Sequence, residues 1–171
     1  MKQSSINGQM LTGFLLTSFC LSLGSLAVAD VRTCVQDKWY GVIHKQADIK
    51  RVFDIPSITA RAIGPLYKTL GVEVRQAAHL ATTYSLKETL EKNLGSLRKL
   101  RLEISGAPQV SKNKYGLSGA FVGTSGRSYT VQAWVRKDDC KIIAMVIEAG
   151  WLKDWLRKTT TFQTFLRKNE L

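Results

Sequence analysis

The hydrophobic period of this chain changes at Gly95, and that change limits what it can fold into. Before it, apolar residues recur every three or four positions, as in the series Ile58, Ala62, Ile63, Leu66 and Leu70. After it, Leu100, Leu102 and Ile104 alternate with Lys99, Arg101 and Glu103. Tyr129, Val131, Ala133 and Val135 likewise alternate with Thr130, Gln132, Trp134 and Arg136. Alternation gives a strand one buried face. Helices first and strands afterwards predict an α+β domain, because a parallel α/β chain would interleave the two.

The spacing predicts a first helix over 35–52, with Trp39, Val42, Ile43 and Ile49 on one stripe. Phe53-Asp54-Ile55-Pro56 ends it. Asp54 or Ser57 can cap the next helix, with Pro56 in its first turn. A longer helix is predicted over 72–94. With Leu70 just ahead of it, Val74, Ala77, Ala81 and Tyr84 make one stripe, and Leu86, Leu90 and Leu94 lie on a shifted face. Two apolar faces suit a helix sandwiched between layers, or one that leaves a face for an apolar ligand. Beyond it, strands are expected at 100–104, 117–122, 129–135 and 142–147, with 106–116 as a loop. Gly123-Thr124-Ser125-Gly126 and Lys137-Asp138-Asp139 read as turns between neighbours, so the sheet of about four strands should be antiparallel. A short C-terminal helix over 159–168 puts Phe162, Phe165 and Leu166 on one side.

Residues 1–29 read as a secretory signal peptide, leaving 30–171 as a single domain. Lys2 supplies the positive start, the run from Met10 to Val28 carries no charge, and Ala27-Val28-Ala29 offers a small-x-small cleavage site. A retained membrane anchor is the alternative. Cleavage leaves Cys34 and Cys140, which in an oxidising compartment form either one disulfide or two unpaired thiols.

The chain holds 25 Lys and Arg against 13 Asp and Glu, a formal charge of +12, and only Lys2 falls in the leader. An anionic partner follows from that balance. No nucleic-acid-binding motif accompanies the basic residues, so nucleic acid is not expected. Anionic lipid headgroups or an acidic protein fit an exported chain better.

Enzyme signatures are missing: there is no GxSxG, P-loop, GxGxxG, HExxH or CxxC. His44 and His79 fall on separate predicted helices without ligand spacing, so no metal or cofactor is expected. Glu148, the acid that ends an apolar strand, reads as an ion-pair or helix-end contact, for example with Arg157. The chain is therefore read as non-enzymatic.

Phe53-Asp54-Ile55, followed by Ala60-Arg61-Ala62-Ile63-Gly64 and Tyr67, resembles the FDF…AR.ALG..W segment of the MlaC / toluene-tolerance family. The stretch from Tyr129 to Lys137 and that from Lys141 to Glu148 resemble the family's last hairpin and the strand that ends in EG.S. Arg157 lies where the family places an Arg in the following helical segment. The resemblance covers roughly 50–168. Ala149 and Trp151 replace the family's Gly and Ser, Ala144 stands where Asp is common and Cys140 where Trp is common. Members of this family are periplasmic phospholipid-binding components of the Mla intermembrane lipid transport system.

The resemblance implies N-terminal helices packed over the sheet, with an apolar cavity between the layers. It implies a monomeric periplasmic carrier whose bound ligand is phospholipid and whose partners are membrane-bound Mla-type complexes. The inward face of the sheet and the facing helices supply the candidate lining residues: Ile63, Tyr67, Leu80, Tyr84, Leu102, Phe121, Val131, Ala133, Ile143, Met145 and Ile147. Lys and Arg at the rim would meet a phosphate. A second hypothesis keeps the scaffold but packs the interior solid, making an exported interaction module with Trp151 and Trp155 on its contact surface.

Overall fold

Helix α1 (Val28–Ile43) stops where Gly41 lets the chain fold back. The N–H groups of Gln46 and Ala47 both donate to the Gly41 carbonyl, at 2.7 and 3.0 Å, and Lys45 takes a φ of 59°. The helix expected over 35–52 is therefore two, and the second, α2 (Ile49–Val52), starts at its own cap, where the Asp48 carboxylate accepts the Lys50 N–H. Only one helical turn remains before Phe53 becomes extended and bridges Ile142 in parallel. The computed structural model describes residues 28–148 and 150–171. Nearly all of the expected leader thus lies outside the described residues, and the expected cleavage after Ala29 falls in the first turn of α1.

Of the two caps considered for α3 (Ile55–Ile63), Asp54 is the one used, its Oδ1 accepting the Ser57 N–H at 3.2 Å. Gly64, at a φ of 85°, closes that helix, and a 3-10 turn (Pro65–Thr69) leads into α4 (Val72–Leu97). The α4 helix runs a turn beyond expectation and buries Ala78, Ala81, Thr82, Ser85 and Leu86. Its buried hydroxyls are satisfied: Thr59 donates to Thr82 at 2.7 Å.

Five strands follow in sequence order: β1 (Leu100–Val110), β2 (Lys114–Gly123), β3 (Ser128–Arg136), β4 (Ile142–Ile147) and the two-residue β5 (Gly150–Trp151). All neighbours are antiparallel. The loop expected at 106–116 is mostly strand. Gln109 and Val110 pair with Gly116 and Tyr115 beyond a register shift, and Gly106 and Pro108 sit within the shift itself. A Pro has no N–H for the ladder, so an irregularity is where a sheet tolerates it. Two short helices close the chain, α5 (Leu152–Arg157), which the periodicity did not announce, and α6 (Thr160–Lys168).

The inner face of the sheet carries Leu102, Tyr115, Leu117, Phe121, Val131, Ala133 and Val135, all buried. The buried α1 residues Val31, Val35 and Trp39 join the same core, and the rings of Trp39 and Phe121 meet at 4.9 Å. A smaller core holds Ala62, Ala78, Ala81, Phe162, Phe165 and Leu166, joining α3, α4 and α6. A disulfide links Cys34 to Cys140, with their Cα atoms 6.3 Å apart, and pins α1 to the β3–β4 turn. No helix among the described residues is long and apolar enough to cross a membrane.

Candidate functional site

The two layers do not close everywhere. Between the C-terminal half of α4, the inner face of the sheet and α5 lies a cavity of about 480 Å³. From α4 it takes Leu86, Thr89, Leu90, Asn93, Ser96 and Leu97, which fall on one face at steps of three and four. The sheet contributes Leu100, Phe121, Tyr129, Met145 and Ile147. Trp39, Phe53, Leu152 and Trp155 complete the wall.

No lining residue carries a charge. Two of the polar ones are occupied by their own helix: Thr89 Oγ1 donates to the Ser85 carbonyl at 2.8 Å, and Asn93 Nδ2 donates to the Thr89 carbonyl at 2.7 Å. The Trp39 indole N–H is buried without a hydrogen-bond partner. What remains facing the space is mainly hydrocarbon and aromatic surface. Such a chamber stabilises apolar chains by about 0.8 kcal/mol for each methylene taken from water, and its size falls in the range of small-molecule pockets, about 300–1,000 Å³.

Among the residues predicted to line a cavity, the structure brings Phe121, Met145 and Ile147 together here. Leu102, Val131 and Ala133 do face inward, but they are packed into the solid core. Ile63 is half-buried beside the smaller core, and Ile143 borders a groove with Ile58 and Arg61. Tyr67 is half-buried, its hydroxyl hydrogen-bonded to His79 Nε2 at 2.7 Å. Leu80 and Tyr84 stand on the surface, 52% and 59% exposed. Tyr84 belongs to the first α4 stripe and Leu80 to neither, whereas the cavity uses the second. Leu86 and Leu90 of that second stripe were the available signal. Trp155 carried none, because α5 is too short to show a period.

The cavity wall also lacks the expected basic rim, since no Lys or Arg is part of it. The positive groups gather elsewhere: Lys50, Arg136 and Lys141 border a separate groove with Asp54 and His79. Burial and the nearby Arg75 charge hold the His79 imidazole below its ordinary pKa, against a smaller pull from Asp54. Glu148, read from the sequence as an ion-pair or helix-end contact, faces the neighbouring strand. Its carboxylate accepts the Thr130 N–H at 2.9 Å and completes the β3–β4 end. No cluster of His, Cys, Asp or Glu among the described residues has the arrangement to hold a metal ion.

No protein-family model matches this chain, and no curated protein does. Among solved structures, it is similar to the phospholipid-binding protein from Ralstonia solanacearum, determined in complex with a phospholipid. The TM-score is 0.55 and the identity 17%, over 84% of each chain. That likeness shows a shared fold.

Proposed function

We propose that this chain is an exported carrier that shelters phospholipid acyl chains and moves lipid between inner- and outer-membrane complexes across the periplasm. The observation that carries this reading is the uncharged chamber of about 480 Å³ under α4. A carrier needs only to hide hydrocarbon from water, and methylene burial supplies affinity with no catalytic group. The shared fold with a protein solved holding a phospholipid adds support, as do the FDI and ARAIG stretches that resemble the MlaC family. Export by a cleaved leader, a monomeric state and Mla-type partners belong to the same proposal.

The competing reading, an interaction module with a solid interior, draws on the tight packing around Val131 and Ala133, each 1% exposed. The open chamber beside them speaks against it. Extraction of the purified protein followed by mass spectrometry tests the carrier. Bound lipid is the expected result. A lipid-free protein that also takes nothing from phosphatidylglycerol vesicles would end the proposal.

A further inference from the structure

Resting on the carrier reading, we infer that the phosphate of the bound lipid is held beside the chamber, between Arg61 and Lys153. These two cations line a pocket of about 320 Å³ together with Met145 and Leu152. Met145 and Leu152 also belong to the chamber wall. Tails and head therefore have two adjoining spaces with a common partition.

The pocket lies where the sheet leaves an edge bare. Phe53 bridges Ile142, and β5 pairs only with Val146 and Ile147. From Ile143 to Met145 the outer edge of β4 thus has no strand neighbour among the described residues. Helices flank the gap instead. Arg61 stands in the last turn of α3, and Leu152 and Lys153 open α5. Met145 is unbranched and such side chains repack readily, so the glycerol link between head and tails can pass it.

Charge decides what fits. No acid lines this pocket, and neither cationic side chain makes a hydrogen bond or ion pair among the described residues. Arg61 is exposed and Lys153 half-buried, so both are free to meet a ligand. A guanidinium presents paired N–H groups that match two phosphate oxygens, and an ammonium adds a point charge. The other basic groove is a poorer candidate. Its Arg136 is held by Asp54 and Asp139, and its Lys141 lies 3.6 Å from Asp139. Of the chamber wall it shares only Phe53.

The test uses the full chain, stripped of lipid and given dioleoyl-phosphatidylglycerol and dioleoylglycerol in equal amounts in a nonionic detergent. The tails are identical, so native mass spectrometry of the complexes reads the phosphate-bearing head. The parent chain should favour the phospholipid by about tenfold, the effect of one or two hydrogen bonds to a charged group. Arg61→Gln with Lys153→Gln should abolish most of that preference and leave the loading of dioleoylglycerol unchanged. Lys50→Gln with Lys112→Gln, which removes the same charge elsewhere, should keep it. Equal loading of the two lipids by the parent chain, or a preference that survives without Arg61 and Lys153, would overturn the head site while leaving the carrier standing. Glycerol phosphate, titrated against the stripped chain, tests the other source of a phosphate. Its binding, lost in the Arg61 and Lys153 variant while the parent shows no preference between the lipids, would assign the pair to a soluble phosphate and overturn the inference. Uptake of neither lipid would remove the carrier and this site together.

Discussion

Asp54 Oδ2 lies 3.5 Å from the Arg136 guanidinium while Oδ1 of the same carboxylate caps α3 through the Ser57 N–H. One buried acid, 8% exposed at its side chain, thus starts a helix and ties it to the last residue of β3. The Asp54 N–H donates to the Ile142 carbonyl at 2.9 Å, so backbone and side chain fasten the FDI stretch to neighbouring strands. Phe53, next to it, lines the chamber.

Asp54→Ala should lower stability by about 0.5–2 kcal/mol, the usual range for loss of a helix cap. Arg136 keeps a second partner in Asp139, two hydrogen bonds at 3.0 and 2.6 Å, so it is not stranded. Asp54→Asn retains an oxygen for the cap and should lose less. Urea unfolding of the two variants reads the difference, and equal losses would assign the effect to the ion pair and not to the cap.

The Asp139 carboxyl gives the fold a dependence on acid. Burial pushes its pKa up, but hydrogen bonds from Arg136 and the Lys141 N–H, with the charges of both residues, outweigh that and hold it below the ordinary value. A depressed folded pKa contributes stability that is complete above the unfolded value, about 3.9 for Asp, and fades as pH falls through the folded one. Asp139→Asn should therefore melt below the parent protein at pH 7, with the gap closing below about pH 4. A gap that is unchanged from pH 7 to pH 3 would place the contribution outside the charge.

How far these features can be read from the sequence depends on how locally they are encoded. The cap at Asp54, one of the two candidates, the alternation in β3 and the stripe of Phe162, Phe165 and Leu166 are local, and each appears where its pattern predicts. The 106–116 segment was misleading, because Gly106 and Pro108 signal a turn while the pairing of Gln109 and Val110 with β2 prevails. A hollow is harder to see. Core and pocket share one apolar pattern, and whether Val131 meets a side chain or empty space depends on what the opposite layer supplies. On α4 the choice lay between two stripes, and the helix rotates so that Leu86 and Leu90 face the sheet while Leu80 and Tyr84 face water.

The link between Cys34 and Cys140 closes a sequence separation of 106 residues. Loop entropy alone makes such a link worth about 4–5 kcal/mol, and native disulfides generally contribute about 2–5. Cys34→Ala with Cys140→Ala should thus lower unfolding stability by a few kcal/mol and loosen α1. Hydrogen exchange checks the location: protection should fall first at Val31 to Trp39. Stability that is indifferent to reductant would show the thiols unpaired in solution.

Gly150 and Trp155 connect the end of the sheet to the chamber. A Cβ on Gly150 would stand 2.7 Å from Trp155 Nε1 and 3.0 Å from Cε2 and Cζ2, closer than such atoms approach. Trp155 lines the chamber, so Gly150→Ala must shift either the indole or β5. Forcing a ring out of place costs about 1–3 kcal/mol, and a displaced indole would alter the wall on which lipid rests. Gly150→Ala should therefore melt lower and retain less lipid after gel filtration. The double variant Gly150→Ala with Trp155→Ala separates this from a backbone effect. With the ring gone the added methyl meets no obstacle, so the glycine change should have almost no further effect, a coupling that a double-mutant cycle resolves. Simple additivity of the two changes would show that the ring does not rest against Gly150.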